Sequence, residues 1–149
     1  MAHDPISPDA LRTPVFTRLK GKRVVLASSS PRRRDILATV GVHPEIVPST
    51  FKEDLPKSDF VGDIAHEYPV ETATHKAKEV YIRLVMQDEH DPPDLVIAAD
   101  TVIVHQGKIL EKPLDKTDNV RMLADMCGHS FHAVSYTHLR AHETVLDLV

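Results

Sequence analysis

The sequence predicts an α/β domain, in which buried strands alternate along the chain with amphipathic helices. Short apolar segments at residues 23–27 and 95–99 have the length and composition of strands that are buried on both faces. Apolar residues recur elsewhere at helical spacing, and glycines or prolines separate the two kinds of segment. The 149 residues are enough for one domain with a sizeable core.

The charge and composition narrow the class of protein. The net charge is −4 and aromatic residues make up 5%, which disfavours a nucleic-acid-binding domain and attachment to an anionic membrane. Any bound anion must therefore be held by a local basic cluster. Cys127 is the only cysteine, which excludes an internal disulfide and predicts a reducing compartment, the cytoplasm. No apolar segment approaches the ~20 residues of a membrane span.

The first ordered elements are predicted to follow a loose tail. Residues 1–21 are rich in proline and polar groups and lack periodicity, which is typical of disorder. Residues 23–27 predict the first strand, and residues 32–40 predict the first helix, which Gly41 ends as a C-cap. The apolar face of this helix is predicted to consist of Ile36, Leu37 and Val40.

A second strand, a loop and a long helix come next. Residues 45–47 predict the strand, and the polar residues 48–63 predict the loop. Pro69 is placed in the first turn of a helix that runs to about Gln87. The buried stripe of this helix is predicted to consist of Ala73, Ala77, Val80, Tyr81 and Leu84.

The most apolar strand opens the second half of the chain. It covers residues 95–99, and extended structure continues at residues 102–104. The dipeptide Gln106–Gly107 predicts a turn into a further strand at residues 108–110.

A third helix and a last strand complete the predicted domain. The helix covers residues 117–127 and ends at Gly128, and the strand covers residues 131–134. The apolar face of this helix is predicted to consist of Val120, Leu123, Ala124 and Cys127.

The turn between the first strand and the first helix has the features of a phosphate site. Ser30 is a natural N-cap residue and Pro31 suits the first helical position. Residues 32–34 are three arginines, which the positive end of a helix repels unless an anion is bound there. The alternative is an ordinary capped helix with solvated arginines.

An acidic residue follows the strongest strand directly. Asp100 is predicted to lie at the strand end, the edge where α/β proteins bind ligands. A carboxylate there could hold a divalent metal ion or act as a general base on water. The alternative is an aspartate that begins a turn.

Two lysines are weaker candidates on their own. Lys112 lies in the tripeptide Glu111–Lys112–Pro113, where it could contact a phosphate oxygen while Glu111 ligates a metal ion; the alternative is a surface salt bridge. Lys76 lies beside the buried stripe of the long helix and could emerge at the edge of a cleft, whereas Lys78 is expected to face solvent. His138 and His142 have a zinc-ligand spacing but no accompanying third ligand, so a zinc site is not predicted.

Taken in order, these segments resemble the Maf family of nucleotide pyrophosphatases. The resemblance covers about residues 22–134. Within the family, the sequence is similar in particular to the Maf-like domain of animal acetylserotonin methyltransferase-like proteins. The matching segments are LASSSPRR at 26–33, PSTFKE at 48–53, HKAK at 75–78, AADTV at 98–102, LEKP at 110–113 and MCGH at 126–129. Each segment is a modest signal, but the ordered set is specific.

The resemblance implies an α/β fold with an elongated mixed sheet flanked by helices, similar to that of inosine triphosphatases. It also implies hydrolysis of a nucleoside triphosphate to the monophosphate and pyrophosphate. The residues implied to bind substrate are Ser28, Ser30, Arg32, Arg33 and Glu111. The lysines Lys76 and Lys112 would neutralise the leaving pyrophosphate. Asp100 would activate water or hold magnesium or manganese, with Glu53 in the same metal shell.

The resemblance also narrows the substrate. A second arginine after Ser30–Pro31, together with the segment at residues 110–113, looks like the subgroup that acts on dTTP and UTP. Such enzymes clean nucleotide pools, and a homodimer is a possible assembly. The alternative function is a catalytically inactive module that binds nucleotide for regulation. A nucleic-acid-binding domain using residues 32–34 is the least favoured alternative.

The resemblance ends near residue 134. Residues 135–149 do not continue with the segments expected of the family. We therefore expect a domain over residues 22–134 that lacks its C-terminal part, followed by an unrelated tail that packs poorly or forms an isolated helix.

Overall fold

A five-stranded mixed sheet forms the centre of the protein. The computed structural model describes residues 4–110 and 112–141. The strands are β1 (Val24–Leu26), β2 (Glu45–Ile46), β3 (Leu95–His105), β4 (Lys108–Leu110) and β5 (Phe131–Ala141). Strand β1 runs parallel to β2 and β3, whereas β4 and β5 run antiparallel to β3. The predicted α/β class with a mixed sheet is confirmed.

Helices flank this sheet. They are α1 (Pro14–Leu19), α2 (Pro31–Thr39), α3 (Glu67–Gln87) and α4 (Lys116–Met126), with short 3₁₀ turns at Lys57–Asp59 and Gly62–Ile64. Within the described ranges, no helix combines the length and apolar character that crossing a bilayer requires.

The core lies on both faces of β1 and the parallel part of β3. Successive strand residues point to opposite faces, so Val25 packs toward α3 while Val24 packs toward the N-terminal segment. The α3 side contains three residues of the predicted stripe, Ala77, Val80 and Leu84, with Tyr81 packed at its margin, and Ala73 of the same stripe is also buried. The buried members of this cluster are Val25, Ala27, Ala77, Val80, Leu84, Val96 and Ala98.

The N-terminal segment is part of this core, so the prediction of a loose tail over residues 1–21 is wrong for its described part. Ile6 and Leu19 are 5% and 6% exposed and pack with Val24, and Ile6 forms an antiparallel bridge with Val42. The side chain of Thr13 caps α1. Helix α1 has only six residues, too few to show a periodicity in the sequence.

Truncation of Leu19 tests this packing. We expect Leu19→Ala to lower the free energy of unfolding by about 2–4 kcal/mol, because it removes a buried side chain and leaves a cavity. The control is Leu11→Ala, since Leu11 lies in the same segment but is 59% exposed. Urea unfolding of both variants measures the difference; equal midpoints would show that the Leu19 side chain contributes nothing to the core.

Helix α2 follows the prediction at both ends but not along its whole face. Ser30 is its N-cap residue, Pro31 opens it, and Gly41 adopts a φ of +83° just after it. Leu37 and Val40 pack against the second core cluster, whereas Ile36 is 66% exposed.

Helix α4 is exposed on the face that was predicted to be buried. Val120 and Leu123 are exposed, as are Ala124 and Cys127. The helix instead approaches the β3–β4 hairpin through Met122 and Met126, which line a small cavity there. No element among the described residues packs on the opposite face, so the apolar spacing predicted the helix correctly but not the side that is covered.

Strand β5 extends beyond the predicted strand at residues 131–134. It continues to Ala141 and pairs with β3 along the whole length of that strand. The prediction of an isolated helix is therefore wrong for residues 135–141, which form a strand. The alternative prediction of poor packing agrees with their side chains, most of which are exposed, with Leu139 at 56%. Residues 142–149 lie outside the described residues.

Candidate active site

Asp100 lies in the middle of β3, whereas the sequence predicted that it lies at a strand end. The segments at residues 95–99 and 102–104 form one strand, because β3 continues past Asp100 into the hairpin with β4. The parallel part of the sheet ends earlier, where Leu26 of β1 pairs with Ile97. Asp100 therefore still lies just beyond the carboxyl end of β1, the edge at which such sheets bind ligands.

A buried lysine connects Asp100 to a second carboxylate. The Lys76 Nζ atom lies 2.9 Å from Asp100 Oδ1 and 2.8 Å from Glu53 Oε1. Lys76 and Asp100 are 8% and 6% exposed, whereas the Glu53 side chain is 42% exposed. Charges are buried at low cost only when they are paired and hydrogen-bonded, and here one ammonium serves two carboxylates.

The charges in this cluster keep Glu53 ionised. Partial burial acts to raise the pKa of Glu53, but the hydrogen bond and charge of Lys76, with the charges of Lys112 and Arg33, outweigh it and leave the pKa below its ordinary value. The cleft thus has a carboxylate that is negative at neutral pH and surrounded by basic groups.

The turn after β1 is organised around a buried hydroxyl. Ser28 Oγ accepts hydrogen bonds from the Ser30 backbone N–H at 3.2 Å and from Arg33 Nη1 at 3.1 Å. The Ser30 side chain makes no capping hydrogen bond to α2, and the first turn of α2 carries no acidic residue. The first backbone N–H groups of α2 and the Arg33 guanidinium therefore remain suited to an anion.

The three arginines of the first turn do not lie in equivalent places. Arg33 lines the cleft, whereas Arg32 is exposed and lies outside the cleft lining. Arg34 is also exposed and approaches the neighbouring Asp35. The structure therefore brings Arg33, and not Arg32, to the sequence-predicted site.

Lys112 approaches the same cluster from the other side. Its side chain is 93% exposed, and its Nζ atom lies 3.9 Å from Glu53 Oε2. An exposed pair at this distance contributes little to stability, so the lysine is free to move toward a ligand at small cost.

Glu111 lies outside the described residues. Lys78 is exposed, as the sequence predicts.

These residues surround one cleft of about 980 Å³. The predicted site residues in its lining are Ser28, Ser30, Arg33, Glu53, Lys76, Asp100 and Lys112. They come from four parts of the chain: the turn before α2, the loop at residues 48–53, helix α3, and the β3–β4 region with the residues after it. A polyphosphate chain would meet a helix N-terminus at one end of this set and the buried Lys76 pair at the other.

Sequence reasoning missed an aromatic and basic part of the lining. Lys57 lies with its Nζ atom 5.2 Å from the centre of the Tyr68 ring, and both residues line the cleft. Phe51 also lines it and stacks on His75 with ring centres 4.9 Å apart. Lys57 and Tyr68 lie in segments without a recognisable pattern, whereas Phe51 lies in the family-like segment at residues 48–53 and could have been singled out there.

Asp100 and Glu53 are suited to bind a metal ion whose remaining ligands come from the substrate and water. Asp100 and Glu53 each contact the Lys76 ammonium through one oxygen, Oδ1 and Oε1, so each has a second oxygen that could bind a metal ion beside the lysine. No group of three or more acidic, histidine or cysteine side chains with metal-site geometry exists among residues 4–110 and 112–141. Magnesium is often bound through one or two carboxylates together with substrate phosphates and water, so this donor set suits such a site and not a closed protein cage.

The chain is similar in sequence to a family of known proteins. A family model described as Maf-like protein matches residues 23–147. The chain is 47% identical over 137 residues to a human protein named probable bifunctional dTTP/UTP pyrophosphatase/methyltransferase protein, covering 90% of this chain and 22% of the relative.

Two shorter relatives show the same similarity. A dTTP/UTP pyrophosphatase of Schizosaccharomyces pombe is 40% identical over 76% of this chain and 46% of its own length. A dTTP/UTP pyrophosphatase of Clostridium perfringens strain ATCC 13124 is 41% identical over 76% of this chain and 54% of its own length. The chain thus spans about half or less of these relatives. Because the family match covers most of the chain, including β5, the chain belongs to the family of Maf-like proteins.

Proposed function

We propose that this protein hydrolyses a nucleoside triphosphate, dTTP or UTP, to the monophosphate and pyrophosphate. The observation that supports this most is the buried Lys76, held between Asp100 and Glu53 in the same cleft as the arginine-bearing turn before α2. The pyrophosphatases to which the chain is similar carry this activity in their names.

Binding would begin at the turn. The N–H groups at the start of α2, which the Ser30 side chain does not cap, would present donors and positive charge to the phosphate chain together with Ser28, Ser30 and Arg33. Lys112 is exposed and can follow the ligand. Arg32 and Glu111 remain proposed substrate contacts from the resemblance, with Arg32 the weaker of the two arginines because it lies outside the lining.

The chemical step would take place beside Lys76. Lys76 contacts Oδ1 of Asp100. The other oxygen, Oδ2, would take a proton from a water molecule as that water attacks the α-phosphorus. The bond between the α- and β-phosphates breaks, and the electron pair leaves on pyrophosphate. Lys76 and Lys112 would neutralise the charge that develops on this leaving group.

A divalent ion, magnesium or manganese, is part of the proposal. When bound by Asp100 and Glu53 together with phosphate oxygens, it would supply further positive charge at the scissile phosphate. We further propose a cytoplasmic location, which the single cysteine supports, and a role in cleaning nucleotide pools. The possible homodimer stays a prediction.

Two neighbouring arginines provide the test. We expect Arg33→Ala to raise KM for dTTP or UTP by ~10-fold or more with a smaller change in kcat, because it removes a charged phosphate contact. Arg32→Ala is the matched control and should change KM much less, since its side chain lies outside the cleft. Pyrophosphate release is measured with magnesium or manganese across the common nucleoside triphosphates.

The outcomes separate the two candidate functions. Release of pyrophosphate with the Arg33 dependence supports the enzyme. Nucleotide binding that depends on Arg33 without any pyrophosphate release would instead identify a binding or regulatory module. A larger effect from Arg32 than from Arg33 would contradict the placement of the phosphate chain.

A further inference from the structure

Glu79 lies on α3, one turn after Lys76, and its carboxylate is directed at the loop that carries Glu53. Residues three apart on a helix lie on the same face, so Glu79 and Lys76 both meet this loop. Glu79 Oε2 accepts from Ser49 Oγ at 2.7 Å and from the Thr50 backbone N–H at 3.0 Å. Glu79 Oε1 accepts from Thr50 Oγ1 at 2.9 Å.

Arg83 completes the attachment of this loop. It lies one further turn along α3 and donates from Nε to Glu79 Oε1 at 2.7 Å. Its Nη2 atom donates to the backbone carbonyl of Pro48 at 2.8 Å. Two charged side chains thus hold three consecutive residues of the loop, Pro48, Ser49 and Thr50, against the helix.

This attachment determines where Glu53 can reach. Thr50 and Glu53 are three residues apart, a span of at most ~10 Å. Lys76 is the partner of Glu53 at 2.8 Å, so the loop is held at both ends by α3, by Glu79 at one end and Lys76 at the other. Phe51, between the two, stacks on His75 and forms part of the cleft wall.

The contacts of Glu79 are stronger than those of an ordinary surface pair. An ion pair four residues apart on a helix adds little to stability by itself, and the half-buried Glu79–Arg83 pair has this spacing. Here the carboxylate also accepts two hydroxyls and a backbone N–H, and hydrogen bonds to a charged group are roughly twice as strong as neutral ones. A group whose only role was to pair with Arg83 would not need these loop donors.

The Glu79 carboxylate is ionised at neutral pH. Burial acts to raise the pKa of Glu79, but the hydrogen bonds from Arg83, Ser49 and Thr50 outweigh it and lower the pKa to about 2. The attachment is therefore constant across neutral pH and is not a switch.

We propose that Glu79 is a positioning residue, which holds the loop at residues 48–53 so that Glu53 meets Lys76 inside the cleft. The catalytic part of this inference rests on the proposed function, whereas the attachment of the loop does not. The role differs from those of Lys76 and Asp100, because Glu79 would act only through the loop.

Replacement of Glu79 by glutamine tests it. Glutamine has the shape of glutamate but no charge. Its NH₂ group is a hydrogen-bond donor, so it cannot accept the hydrogen bonds that one carboxylate oxygen accepts from Arg83 or from the loop. We expect faster amide exchange at Thr50 and a kcat for pyrophosphate release that is 10- to 100-fold lower, the scale for a misplaced active-site group. KM should change less than about 3-fold, because the phosphate contacts at the turn before α2 are untouched.

Two variants serve as controls. Glu89→Gln makes the same chemical change at an exposed position just beyond α3 and should match the wild type in both measurements. Val80→Ala lowers stability from within α3, since Val80 is fully buried, but leaves the loop contacts in place. It should keep the Thr50 exchange rate relative to global unfolding, and its kcat per folded molecule.

Each outcome decides the inference. Unchanged Thr50 exchange in Glu79→Gln, or a loosened loop with a wild-type kcat, would overturn it. A kcat loss shared by Val80→Ala would also overturn it, because the effect would then be one of stability. A wild-type chain that releases no pyrophosphate would reject the proposed function alone, since Thr50 exchange would still show whether Glu79 holds the loop.

Discussion

Replacing Asp100 by asparagine is expected to lower kcat for pyrophosphate release by ~100-fold or more, with a smaller change in KM. The substitution keeps the size of the side chain and removes the charge that we propose accepts a proton and contributes to metal binding. Substrate affinity should depend mainly on the turn before α2, because its helix N–H groups and Arg33 do not contact Asp100. Steady-state kinetics with dTTP and UTP measure both parameters.

The exposed Asp63 provides the matched control. It lies in a 3₁₀ turn outside the cleft lining, so Asp63→Asn should leave kcat and KM unchanged. The folded fraction of Asp100→Asn should be measured alongside, since Lys76 retains only Glu53 as a partner in that variant. Wild-type turnover by folded Asp100→Asn would reject Asp100 as the general base.

The sequence predicted the elements whose local signals agree with their tertiary environment. The stripe on α3 was predicted correctly because apolar residues of β1 and β3 cover it. The hairpin after β3 was correct because Gln106 and Gly107 both adopt positive φ, 50° and 72°, which the glycine makes possible. The start of α2 was predicted correctly because Pro31 favours the first helical position, although the Ser30 side chain makes no capping hydrogen bond.

The sequence could not predict features that depend on distant partners. Helix α1 is fixed by packing of Leu19 on the sheet, and no local signal marks so short a helix. The exposed face of α4 shows the reverse case, in which helical spacing is present but no described element covers it. The role of Glu79 was hidden because the residues it holds are about 30 positions earlier in the chain.

The same limit applied to the candidate site. Ser28, Arg33, Lys76 and Asp100 could be singled out from short segments, but the pairing of Lys76 with both carboxylates could not. That pairing requires a helix, a strand and a loop to meet, which no spacing along the chain encodes. Arg32 and Arg33 were equivalent in the sequence and differ only because a helix turns neighbouring side chains in different directions.

Lys76→Met is expected to have the largest effect on both stability and turnover. Methionine keeps an unbranched side chain at this buried position but removes the ammonium between Asp100 and Glu53. Asp100 is then a buried carboxylate without its counter-ion, and breaking a buried pair in this way costs about 3–5 kcal/mol. Turnover should fall by ~100-fold or more, because the leaving pyrophosphate loses a positioned positive charge.

The double variant Lys76→Met with Asp100→Asn separates these two effects. Removing both charges leaves no unpaired buried ion, so a substantial part of the free energy of unfolding should return, while turnover should not. Lys78→Met, on the exposed side of the same helix, should leave both quantities near wild type. If the double variant were as unstable as Lys76→Met, the loss would come from packing and not from the uncompensated charge of Asp100. If Lys76→Met kept wild-type turnover, the lysine would serve the fold alone, and the charge that meets the leaving group would have to come from Lys112 or Arg33.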